Sequence, residues 1–107
     1  MKKTSKVFIA GHTGLIGSSI KRKLVELSFG KIITRTHKKL DLTSKKKVDF
    51  FFSKEKPEFI FLAAAKVGGI HANSTYPADF IYENLMIQTN VINAAYKYKA
   101  KKLIFFF

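Results

Sequence analysis

Apolar residues fall in short bursts along this chain, separated by longer stretches with a three- to four-residue rhythm. Lys6-Val7-Phe8-Ile9-Ala10 is brief, apolar and rich in β-branched and aromatic side chains, the signature of a buried strand. Leu15, Ile16, Ile20, Leu24 and Leu27 then recur at helical steps. They predict a helix over 15–28 with one apolar stripe, Lys21, Arg22 and Lys23 on the other side, and Gly30 as its stop. Residues 31–35 predict a second strand, and 36–43 a polar connection containing Leu40-Asp41-Leu42. A helix follows over about 44–54, capped by Thr43 or Ser44, with Val48, Phe51 and Phe52 as its apolar face. Pro57 ends that pattern. Phe59-Ile60-Phe61-Leu62 is a third strand, apolar on both faces. A small-residue turn and a loop lead to a long helix from about 78 to 99. Phe80, Ile81, Leu85, Ile87, Val91, Ile92, Ala95 and Tyr96 are expected on its buried side. Leu103 to Phe107 is a fourth apolar strand.

The order β-α-β-α-β-α-β implies right-handed crossovers and a parallel sheet, so the fold class is α/β. The polar connections near 11–17, 36–43 and 63–78 all follow strands. They are expected together at the carboxyl edge of the sheet, where ligands of open α/β folds bind. A chain of 107 residues holds one domain at most, and 47% hydrophobic residues suffice for a core. With no cysteine, disulfides and thiolate chemistry are excluded.

The first of these connections carries the candidate chemistry. Gly11-His12-Thr13-Gly14-Leu15-Ile16-Gly17 places three glycines at G-x-x-G-x-x-G between a strand and an amphipathic helix. Gly11 permits a tight turn, Gly14 lets backbone approach a diphosphate, and Gly17 lets the helix pack closely. The amide groups and dipole of the helix start then face an anion. This is a dinucleotide-binding reading and makes the sheet Rossmann-like. At the end of the second strand an NAD-selective site carries Asp or Glu. Here stand Thr34-Arg35-Thr36-His37-Lys38 instead. A carboxylate would repel a 2′-phosphate and Arg35 would attract it, which points to NADP(H); the other reading of Arg35 is a plain strand-end cation. Asp41 and Leu42 are candidates to lie beside the adenine, although a local turn is an equally good reading of Asp41. Ala63, Ala64 and Ala65 leave room for the cofactor's ribose and diphosphate, or serve tight packing.

With those residues in hand, the chain resembles the extended short-chain dehydrogenase/reductases. The more specific stretches are Ala63-Ala64-Ala65-Lys66-Val67-Gly68-Gly69-Ile70, Ala72-Asn73, Thr75 to Tyr82, and Asn84 to Asn90. These resemble the GDP-L-fucose synthase family of NADP-dependent nucleotide-sugar epimerase/reductases. That resemblance implies a nucleotide-sugar substrate, GDP-4-keto-6-deoxy-mannose, epimerised at C3 and C5 and reduced at C4. It also implies a homodimer at full length. The family's catalytic Ser follows the fourth strand, and a Tyr-x-x-x-Lys pair lies further on. No residue here takes those positions, so no catalytic residue is assigned. The chain reads as the N-terminal part (1–107) of a Rossmann domain, without the substrate domain and inactive alone. Tyr98 and Lys102 match Tyr-x-x-x-Lys by chance, ahead of the fourth strand. Thr13 departs from the family, where a basic residue is expected.

The net charge of +13 invites a nucleic-acid reading, but eighteen of the twenty basic residues are Lys and only Arg22 and Arg35 are Arg. Base readout and bidentate phosphate clamps favour Arg. A solvated basic surface without a nucleic-acid partner is therefore preferred. A non-catalytic dinucleotide-binding module and, further behind, a basic nucleic-acid binder stay open as alternatives. His12 is expected to position the glycine loop, while His37 and His71 read as ordinary loop residues; no spacing suits a metal. No stretch approaches the roughly 20 apolar residues of a membrane span, so a cytoplasmic, membrane-free protein is expected.

Overall fold

The computed structural model describes residues 1–64 and 77–106. Four strands form one parallel sheet: β1 (Lys6–Ala10), β2 (Lys31–Thr34), β3 (Phe59–Leu62) and β4 (Lys102–Phe105). Among the described residues three helices alternate with them: α1 (Leu15–Glu26), α2 (Lys45–Glu55) and α3 (Pro77–Lys97). The strand order is β2-β1-β3-β4. Lys6 pairs with Lys31, Val7 with Phe59, and Phe59 with Lys102. Order reverses between β1 and β3, which makes the carboxyl end of β1 the switch point of the sheet.

Two cores flank the sheet. On one face Phe8, Ile60 and Leu62 meet Val48, Phe51 and Phe52 of α2 and Ile87, Val91, Ala94 and Ala95 of α3. Phe8, Phe51 and Phe52 pack as an aromatic trio with ring centroids 4.6–5.9 Å apart. Tilted and edge-on rings of this kind add to the area they bury. On the other face Val7, Ile9 and Leu24 form a smaller core, with Ile20, Phe29, Ile32, Phe59 and Phe61 around it.

Three expectations of burial are corrected. Only part of the stripe on α1 is buried: Leu24 is 5% exposed, but Leu15 is 85%, Ile16 43% and Leu27 42% exposed. A single helix covers this side among the described residues, and Leu15 and Ile16 of its first turn stay exposed. On α3, Ile87, Val91 and Ala95 are buried, whereas Ile81, Leu85, Ile92 and Tyr96 are exposed. The long helix therefore carries two apolar stripes, and only one faces the sheet. Likewise β3 is fully buried on one face alone, at Ile60 and Leu62; Phe59 and Phe61 are half-buried.

Helix ends follow local chemistry. Ser44 caps α2, its hydroxyl accepting from the Lys47 N–H at 3.2 Å, which satisfies one orphan donor of the first turn. Gly30 does not stop α1. The chain turns at Ser28, with φ of 67°. There the Phe29 N–H donates to the Leu24 carbonyl and Ser28 N–H to that of Val25, each at 3.0 Å. This is a Schellman ending, and Phe29 packs with Leu24 in the smaller core.

Candidate functional site

The carboxyl ends of β1, β2 and β3 open onto a cavity of about 700 Å³. Its walls are the 11–16 turn, residues 35–37 and 40–43 after β2, Ala63 and Ala64 after β3, and Glu83 and Ile87 of α3. Three connections distant in sequence thus meet at one place because parallel strands end at one edge.

The glycine turn is the centre of it, and its three glycines differ in what they do. Gly11 has φ of +89°, and a Cβ there would come within 2.6 Å of the Ala64 N. The Ala63 N–H donates to the Ala10 carbonyl at 2.9 Å, drawing the two loops together. A Cβ on Gly17 would stand 1.9 Å from the Gly11 carbonyl oxygen, so the helix could not sit against its own turn. Gly14 is different. Its φ of −77° and ψ of 173° suit any residue, and a Cβ would meet nothing closer than Gly11 O at 3.6 Å. The fold needs Gly11 and Gly17 but not Gly14, which is exposed at the cavity.

Gly14 is also the N-cap of α1. No side chain caps this end and the first turn holds no acidic residue. The first N–H groups of a helix have no partner within it, and the dipole places partial positive charge there. His12 Nδ1, in the same turn, is buried without a hydrogen bond in the protein. Such atoms are rare in native folds and ask for a partner. The group that would answer all three features is an anion with acceptor oxygens. The residues present fit a diphosphate.

After β2, half-buried Arg35 lines the cavity, the sole Arg or Lys among its described walls. Asp41 is engaged in a turn. Its Oδ1 accepts from the Thr43 N–H at 3.0 Å and from the Thr43 hydroxyl at 2.6 Å. These two bonds hold the Asp41 carboxyl below its ordinary range. A carboxyl lowered on folding favours the folded state above its unfolded pKa, and this contribution fades as pH falls through the lowered value. Leu42 packs against the larger core, and its carbonyl accepts from Asn90 Nδ2 at 2.9 Å. Thus α3 fixes the wall opposite the glycine turn.

The cavity therefore gathers Gly11, His12, Thr13, Gly14, Leu15, Ile16, Arg35, Asp41, Leu42, Ala63 and Ala64. Gly17 is buried beneath it. Ala65, His71 and the Lys66–Ile70 motif lie outside the described residues. Sequence reasoning missed Glu83 and Ile87, spaced four apart on the α3 face that looks over the loops. It also passed over His37, which lines the cavity rather than a remote loop. Tyr98 follows α3 directly and Lys102 opens β4, at the amino edge of the sheet, and neither lines the cavity. Among the described residues no three His, Cys, Asp or Glu gather to hold a metal, and no helix is long and apolar enough to cross a membrane.

A doubly wound parallel sheet with a glycine turn at its switch point defines a Rossmann-type α/β domain. The chain belongs to the NAD dependent epimerase/dehydratase family, whose profile matches residues 7–106. GDP-L-fucose synthase 1 of Arabidopsis thaliana is 60% identical over 103 residues, 96% of this chain and 32% of that protein. GDP-L-fucose synthase of Escherichia coli (strain K12) is 49% identical over 94% of this chain and 31% of its own length. MlghC, a GDP-mannoheptose C4 reductase from Campylobacter jejuni solved with NADP bound, matches with a TM-score of 0.93 at 44% identity, over 98% of this chain and 33% of that one. The chain thus spans about a third of the length of the relatives it matches.

Proposed function

We propose that this chain holds NADP(H) as the N-terminal, dinucleotide-binding part of a GDP-L-fucose synthase. The reaction is 3,5-epimerisation and 4-reduction of GDP-4-keto-6-deoxy-mannose in the cytoplasm. The observation that carries the reading is Gly14, a glycine the fold does not require, at an uncapped helix start facing a 700 Å³ cavity. The residues at Gly11–Gly17 would hold the diphosphate, and Arg35 the 2′-phosphate. The bound cofactor supplies the hydride. Relatives named GDP-L-fucose synthase at 49–60% identity and an NADP-bound neighbour support cofactor and substrate class. The chain contributes cofactor binding; none of its residues takes the positions of the family's catalytic Ser or Tyr-x-x-x-Lys pair.

Calorimetric titration of the folded chain tests this. NADPH is expected to bind at least about tenfold tighter than NADH, as loss of one charge-assisted phosphate contact implies. Arg35→Ala is expected to remove the difference. In the same experiment the chain alone should not oxidise NADPH on GDP-4-keto-6-deoxy-mannose, and should do so once the remaining two-thirds of a relative is supplied. Equal affinity for both cofactors, or none for either, would refute the reading.

The assembled protein is proposed to be a homodimer through α3. Ile81, Leu85, Ile92 and Tyr96 recur at four- and seven-residue steps on one exposed side of that helix, a pattern suited to a second helix. Sedimentation of the assembled protein should give a dimer, and Leu85→Lys a monomer. A monomeric unsubstituted protein would contradict this.

A further inference from the structure

Arg35 is not free to meet a ligand. Its Nη1 donates to the Thr34 carbonyl at 2.8 Å and its Nη2 to Glu55 Oε2 at 3.4 Å. The guanidinium also lies over the Phe51 ring, 5.3 Å from the centroid. Glu55 is the last residue of α2, a helix that runs from the carboxyl edge of the sheet back to its amino edge. Its other oxygen, Oε1, meets Lys6 Nζ at 3.2 Å, at the first residue of β1. The cavity opens at the opposite edge. Arg35 lines the cavity, so its guanidinium stands between Glu55 and the side on which an anion would arrive.

Resting on the cofactor reading above, we infer that Glu55 competes with the 2′-phosphate for Arg35 and so sets how strongly NADP(H) is preferred over NAD(H). Glu55 acts through Arg35 as a positioning residue. Release of the arginine is inexpensive. The pair is about one-third exposed on each side, where ion pairs are weak. Glu55 keeps Lys6 when Arg35 leaves, so no carboxylate is stranded. Arg35 loses one carboxylate and gains a group of greater charge. Thr13 offers no cation in compensation, and Arg35 is the sole Arg or Lys among the described walls of the cavity.

The test is calorimetric titration of the 107-residue chain with NADP+ and NAD+, for the native protein, Glu55→Gln, Glu55→Ala, Arg35→Ala and the Arg35→Ala/Glu55→Gln double variant. Both Glu55 variants are expected to bind NADP+ about three- to fivefold tighter, the size of a partly exposed ion pair, with NAD+ unchanged. The double variant should match Arg35→Ala, because Glu55 has no effect without its partner. An unchanged or lowered NADP+ to NAD+ preference in the Glu55 variants, with the native chain binding NADP+, overturns the competition alone. Failure of the native chain to bind either cofactor overturns the reading beneath it.

Discussion

Gly17→Ala is expected to cost about 3 kcal/mol or more of folding stability, beyond the usual range for an extra methylene in a packed site. The added carbon would stand 1.9 Å from the Gly11 carbonyl oxygen and 2.6 Å from its carbon. Both are backbone atoms, in a turn whose own position is set by Ala63 and Ala64. No rotamer change relieves the overlap; the turn or the helix must move. For a domain of this size the melting temperature should fall by on the order of 15 °C, measured by circular dichroism. A variant melting within a few degrees of the native chain would mean the turn is far softer than its contacts imply.

Gly14→Asp is expected to do the reverse: leave the fold intact and abolish cofactor binding. Asp is a favoured N-cap, and its charge suits a helix start, so stability should be unchanged or slightly raised. The same carboxylate would confront the diphosphate. Like charges about 5 Å apart at an effective dielectric of about 20 repel by about 3 kcal/mol, so NADPH affinity should drop about 100-fold or more. Paired measurement of melting and titration separates the two glycines. If Gly14→Asp folds and binds NADPH as before, the amides of α1 do not hold the diphosphate.

The fold was legible in the sequence because strand and helix periods alternate without interruption, and every predicted element is present with ends shifted by a residue or two. The cap of α2 was legible to within Thr43 or Ser44 because a capping hydroxyl acts locally, and the structure selects Ser44. Burial was less legible. Leu15 and Tyr96 belong to apolar stripes by period, yet period alone does not say which stripe a neighbour covers. The end of α1 was misread for a related reason. Ser28 adopts the left-handed turn that Gly30 was expected to take, because the packing of Phe29 on Leu24 selects the register.

The candidate site divides along the same line. Gly11, Gly14 and Gly17 stand out in the sequence by spacing, but only the distances separate glycines the fold demands from the one it does not. Asp41 could be read two ways, and its bonds to Thr43 account for the carboxylate as a turn. The hold of Glu55 on Arg35 spans twenty residues and has no local signature.

The parallel pairing has a kinetic corollary. No strand meets its neighbour through a hairpin: Lys6 must find Lys31, and Val7 must find Phe59, about twice as far along the chain. The longer closure carries about 0.6 kcal/mol more chain entropy cost. The sheet therefore cannot zip up from a local seed. β1, which pairs with both β2 and β3, can complete its pairing only after both closures.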